Sequence, residues 1–197
     1  MKKWELSLLL GLILSVFLTS FSGFSAVCSD VREDTLRLHI LANSNSKIDQ
    51  DAKLHVRDCI LKNEGSFFAK SGTKEKAKAK AQDLLLNVEK TARDALHEKG
   101  LNYAVKAYTT EMYFATTEYD GFTLPAGRYD ALRVELGEAK GKNWFCVLFP
   151  PLCVPASMDD AATGYTDAEI SAVHEPYKAK FAIVEWMQLL SETLHGK

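Results

Sequence analysis

Leu36-Arg37-Leu38-His39-Ile40-Leu41-Ala42-Asn43-Ser44-Asn45-Ser46 carries two structural signals in succession. Leu36, Leu38 and Ile40 alternate with Arg37, His39 and Leu41, the period of two of a half-buried strand with His39 on its outward face. Asn43 to Ser46 then breaks the pattern, and Ser46 with Asp49 three residues on has capping-box spacing, with the shorter Asp in place of Glu. A helix is expected to follow, with Ile48, Ala52, Val56, Cys59 and Ile60 as its apolar stripe and Leu54 and Leu61 on another flank. A strand leading into a covered helix already points to a mixed fold.

Further along, Asn63-Glu64-Gly65-Ser66 reads as a break, and Thr73 reads as the N-cap of one long helix to Lys99, ended by Gly100. Ala77, Ala81, Leu84, Val88, Ala92 and Ala95 step by three or four along it. Lys74, Lys76, Lys78 and Lys80 have no interleaved aromatic residues and read as a solvated face. From Leu101 the period returns to two. Tyr103, Val105, Ala107, Met112 and Phe114 lead to the turn pair Asp120-Gly121, and Phe122 to Leu124, Tyr129 to Leu136 and Trp144 to Phe149 follow as further strands. Pro150-Pro151 ends the last of them, because proline has no amide hydrogen for a ladder. Ser157 to Thr166 reads as a loop. Asp167 to Leu194 reads as a final helix with Ile183, Met187 and Leu190 as its apolar line, although residues 177–184 fit a strand equally well. The expected fold is α+β: an antiparallel sheet with two to three helices packed on one face, preceded by an N-terminal signal or anchor helix.

That N-terminal segment has Lys2 and Lys3, then no charge from Leu6 through Val27, the n-region and apolar core of an export signal. Its uncharged run approaches the roughly 20 residues that span a bilayer, so cleavage and retention as an anchor are both open. Val27 stands where a small residue is wanted before a lipidated cysteine, which argues against lipidation at Cys28. The organisation expected is residues 1–27 as signal peptide or membrane anchor and residues 28–197 as a single exported domain, touching membrane only through the N-terminal segment. With 24 Lys and Arg against 26 Asp and Glu, the formal charge of -2 provides no field for a nucleic-acid backbone.

Chemistry-bearing patterns are sparse. The five histidines show no H-x-H or H-E-x-x-H spacing, so no metal or other cofactor is expected. There is no G-x-S-x-G motif. Gly137 to Asn143 superficially resembles a phosphate loop, but it lacks a spacer and the magnesium-binding hydroxyl and joins two strands. Of the cysteines at 28, 59, 146 and 153, export makes disulfides permissible, and Cys146 and Cys153 are the expected pair. The bridge would fix the apolar loop Leu148-Phe149-Pro150-Pro151-Leu152, either as a preorganised recognition element or folded back on the core. Cys59 reads as a buried free thiol.

Three segments converge on a known family: Leu36 to Ser44 with Asp49, Gln50, Lys53, Leu54, Val56, Arg57 and Asp58; Leu124 to Gly127 with Tyr129 and Ala131 to Val134; and Gly141 to Cys153. Together they resemble stage II sporulation protein R of endospore-forming bacteria. The resemblance implies a signalling protein rather than an enzyme, secreted from the forespore into the intermembrane space, or membrane-anchored there if its signal is kept. There it would activate a membrane-embedded aspartic protease, which removes the pro-sequence of the mother-cell sigma factor E precursor. Trp144, Phe145, Leu148, Phe149, Pro150, Pro151 and Leu152, with His39, Asn43 and Ser44, are the candidate receptor contacts. A competing reading is a secreted hydrolase acting on cell wall or peptide, with His39 and one of Glu111, Glu135 or Glu138 as acid and base. A third is a structural protein of the spore envelope.

Overall fold

The computed structural model describes residues 3–119, 121–152, 165–174 and 179–195. In chain order the elements are α1 (Lys3–Glu33), β1 (Leu36–Leu41), α2 (Lys47–Ala69), α3 (Lys74–Asp83), α4 (Leu85–Glu98), β2 (Val105–Phe114), β3 (Thr117–Tyr119), β4 (Phe122–Leu124), β5 (Gly127–Leu136), β6 (Asn143–Phe149), α5 (Asp167–Val173) and α6 (Ala179–His195). They form an α+β protein with an apolar N-terminal helix, and they divide into two compact units.

The larger unit comprises Glu33–Tyr113 and Arg128–Tyr165. Its sheet has the order β2-β5-β1-β6. The sheet is mixed rather than wholly antiparallel: β1 runs parallel to β5, with Ile40 opposite Val134, and antiparallel to β6, with Ile40 opposite Trp144. Parallel neighbours need a long crossover, and α2 to α4 leave β1 before the chain returns to β5. Leu36, Leu38 and Ile40 enter a core with Val56, Ile60 and Phe68 of α2, Ala77 and Ala81 of α3, and Val88, Ala92, Ala95 and Leu96 of α4.

Several local expectations are corrected. All six residues of β1 are buried, Arg37 and His39 included, because the strand is central and its second face is also covered. Arg37 lies between the rings of Tyr129 and Phe145, 5.0 and 5.7 Å from their centroids. Helix α2 continues through Asn63-Glu64-Gly65-Ser66 to Ala69, because Phe68 and Ala69 are buried. Ile48 at its start is exposed, whereas Cys59 is only half-buried. The helix expected from Thr73 to Lys99 breaks at Leu84, which ends α3 and opens α4. The apolar stripe itself holds, since Ala77, Ala81, Leu84, Val88, Ala92 and Ala95 are all buried. The break lets α3 stay on β1 and β6 while α4 packs on α2. Gly100 has φ +71, the left-handed helix stop expected of it. Lys74 and Lys78 are not simply solvated: both ammonium groups reach Asp130 of β5, at 2.9 and 2.7 Å.

The second unit comprises Met1–Arg32, Phe114–Gly127 and Thr166–Lys197. Its α1 is long and apolar enough to cross a membrane, since 31 residues rise about 46 Å against a hydrocarbon core of about 30 Å. The helix runs on past Val27 to Glu33, and its Phe21, Phe24 and Cys28 pack on Phe181 and Val184 of α6. Phe24 and Phe181 meet edge to face at 5.1 Å. The described part of residues 177–184 is helix, and Phe181 and Val184, not Ile183, Met187 and Leu190, form its buried face. Strands β3 and β4 pair antiparallel as a separate two-stranded sheet, with Gly121 between them; Asp120 of the expected turn pair lies outside the described residues. Helix α5 begins with a complete capping box between Thr166 and Glu169.

Candidate functional site

The polar residues of the first motif close one corner of the larger unit. Asp49, in the first turn of α2, is buried, and its Oδ2 accepts from the Ser44 hydroxyl at 2.6 Å and from Asn43 Nδ2 at 3.0 Å. Burial alone would raise its carboxyl, but hydrogen bonds from Ser44, Asn43, Tyr103 and Ser46 hold it below the usual carboxylate range. The Asp49 amide in turn donates to Ser46 Oγ at 3.2 Å, the N-cap the spacing predicts. One helical turn on, the buried Lys53 ammonium donates to Gln50 Oε1 at 2.7 Å and to the carbonyls of Lys142 and Asn143 at 2.9 and 3.3 Å. Burial, with Lys142 and Arg57 nearby, pulls its pKa down.

This corner grips the β5–β6 connection. The Glu138 amide donates to Asn43 Oδ1 at 2.9 Å, the Lys142 amide to Asn45 Oδ1 at 2.8 Å, and the Gly141 amide to the Ala42 carbonyl at 2.9 Å. A Cβ at Gly141 would stand 2.2 Å from the Ser44 carbonyl oxygen, so no larger residue fits without backbone movement. Gly137 to Asn143 is thus a strand connection clamped by side chains from β1–α2, as the sequence reading holds, and not a phosphate cradle. Asn43 and Ser44 direct their polar groups inward to this clamp.

The clamp fixes where β6 starts, and β6 is an edge of the sheet. Trp144 and Phe145, half-buried, alternate to opposite faces. Trp144 packs against the core on the helix side, with the Arg57 guanidinium of α2 4.9 Å from its ring centroid. Phe145 lies 4.9 Å from the His39 ring on the other side. Leu148, Phe149 and Pro150 are buried, while Pro151 and Leu152 are half-buried. Of the two outcomes left open for this segment, its first half folds onto the core, and the surface it offers is made by Trp144, Phe145, Pro151 and Leu152. Cys28 and Cys59 are free thiols. The expected Cys146–Cys153 pairing falls on Cys153, which lies outside the described residues.

His39 is 2% exposed, with Nδ1 3.2 Å from the Met112 sulfur. Burial, reinforced by Arg133 and Arg37 and only partly opposed by Glu135, lowers its pKa to about 4, so the ring is neutral at pH 7. Of the carboxylates paired with it in the hydrolase reading, Glu135 accepts from the Tyr108 hydroxyl at 2.7 Å and Arg133 Nε at 2.9 Å, Glu138 bonds Lys140 at 2.8 Å, and Glu111 is exposed. Elsewhere α2 and α4 bring together His55, Cys59 and Glu98, a grouping that a search for histidine pairs passes over. The signal was the four-residue step from His55 to Cys59 on one helix face.

An apolar N-terminal helix, an α+β fold and a polar corner that stiffens an edge strand define the class. The profile of the stage II sporulation protein R family matches residues 32–159, and the chain belongs to that family. Stage II sporulation protein R of Bacillus subtilis (strain 168) is 33% identical over 142 residues, covering 72% of this chain and 63% of that protein. The matched region therefore spans less than two thirds of the relative's length. No solved structure matches the chain. The resemblance read from the three motif segments holds, and it assigns the protein to sporulation.

Proposed function

We propose that this protein is the exported signal that activates a membrane-embedded aspartic protease, leading to cleavage of the pro-sequence of the sigma factor E precursor. Membership of the stage II sporulation protein R family is the observation that carries the reading. The apolar α1 is compatible with export or anchoring, and the half-buried rings of Trp144 and Phe145, one on each face of the edge strand β6, are held in fixed positions where a partner could meet them. In this reading Cys146 and Cys153 are the disulfide pair, as export permits. Activation requires that the signal bind the active form of the protease better than the inactive one. The protein acts as a ligand and not as an enzyme in this scheme.

Co-expression with the protease and a tagged sigma precursor in non-sporulating cells tests it, with precursor shortening followed by immunoblot. Processing with the full chain and none with a chain lacking residues 1–27 is the expected result. Absence of processing despite secretion of folded protein would overturn the reading.

A further inference from the structure

His55 and Cys59 stand one turn apart on α2, and Glu98 is the last residue of α4, which packs beside it. His55 Nε2 is 2.7 Å from Glu98 Oε2 and 3.9 Å from Cys59 Sγ, and the three ligand atoms lie within 4.8 Å of one another. We propose that His55, Cys59 and Glu98 bind a divalent transition-metal ion of the zinc type, with a fourth position open to water, and so pin α2 to α4.

The donor chemistry selects the ion. Imidazole, thiolate and carboxylate together suit zinc, whereas calcium and magnesium take oxygen ligands. The separations suit it as well. Ligands at about 2.0–2.3 Å from a tetrahedral ion stand about 3.3–3.7 Å apart, and the separations of 2.7 and 3.9 Å bracket that range. The adjustment falls on Glu98, whose side chain is 65% exposed and free to swing, while His55 and Cys59 are set by the helix they share. Glu98 also ends α4, where the partial negative charge of the helix terminus disfavours a carboxylate and favours a cation. Partial exposure of all three residues leaves an entry path and room for a water ligand.

The test uses the full chain, purified in mild detergent under inert gas without added reductant and stripped of metal with a chelator. Titration with Co²⁺ alone should give one equivalent with visible d–d bands and a thiolate-to-cobalt charge-transfer band, both abolished by Zn²⁺. Cys59→Ser should remove the charge-transfer band, and His55→Ala and Glu98→Gln should each weaken binding by about tenfold or more. Alkylation of the unmutated protein, mapped by peptide mass, should show Zn²⁺ protecting Cys59, with a readout that does not depend on any variant folding. Failure of the folded wild-type chain to bind a stoichiometric ion, a charge-transfer band that survives Cys59→Ser, or alkylation of Cys59 unaffected by Zn²⁺ would overturn the site.

Discussion

Asp49 shows why the motif residues sit where they do. Its buried carboxylate is the common acceptor for Ser44 and Asn43, so Asp49→Ala leaves two half-buried donors without their acceptor and frees the strand connection that Asn43 grips. Chemical denaturation should show a loss of about 2–4 kcal/mol for Asp49→Ala. A loss within about 0.5 kcal/mol would mean the corner contributes little. His39 gives a prediction in pH. Its folded pKa of about 4 lies below the unfolded value of 6.5, so the unfolded chain takes up the proton first as pH falls. The His39 contribution is therefore constant above pH 6.5 and is lost progressively between 6.5 and about 4, at up to about 1.4 kcal/mol per pH unit. Unfolding free energies at pH 7 and near pH 4.5 should diverge less in His39→Gln than in the wild type; equal divergence would contradict the assignment. The capping role of Ser46 was legible from spacing alone, because a cap is a contact three residues long. The grip of Asn43 on residue 138 was not, because no local pattern encodes a bond spanning the whole of α2, α3, α4 and β5.

Along β6 burial deepens from Asn143 to Phe149, which separates two kinds of residue that stand side by side in the family motif. Phe149 is buried in the core, so Phe149→Ala should cost about 3–5 kcal/mol and reduce signalling only through loss of folded protein. Trp144 is half-buried under Arg57, and Trp144→Ala should abolish precursor processing in the co-expression assay while secreted protein keeps its far-ultraviolet circular dichroism and unfolding midpoint to within a few degrees. Retained processing by Trp144→Ala would move the contact away from this strand. Sequence periodicity placed the stripe of α3 and α4 correctly yet ran them together. Leu84 satisfies the same 3.6-residue rhythm as its neighbours, and what breaks the helix there is the need to follow two surfaces, the sheet and α2. The continuation of α2 through Gly65 has the same origin, since burial of Phe68 and Ala69 outweighs the weak local helix preference of that turn.

At the scale of the molecule, the helix read as an export segment is also part of a packed unit. Phe21, Phe24 and Cys28 cover Phe181 and Val184, so a chain lacking residues 1–27 loses the aromatic partners of α6. Hydrogen exchange should show faster exchange along α6 in that truncated chain than in the full one, with protection in β1 and β5 unchanged; equal protection of α6 would show that this packing does not hold the helix. Periodicity, caps and turn pairs were sufficient for the α+β class, the apolar N-terminal helix, the hairpin at Gly121 and the helix stop at Gly100, because each depends on residues adjacent in the chain. The three motif segments were sufficient for the family. Strand order, the burial of Arg37 and His39, and the meeting of His55 and Cys59 with Glu98 came from packing. An outward-facing residue of an isolated strand becomes a buried one once the strand is central and rings of the flanking strands lie beside it, and those strands are drawn from segments far away in the chain.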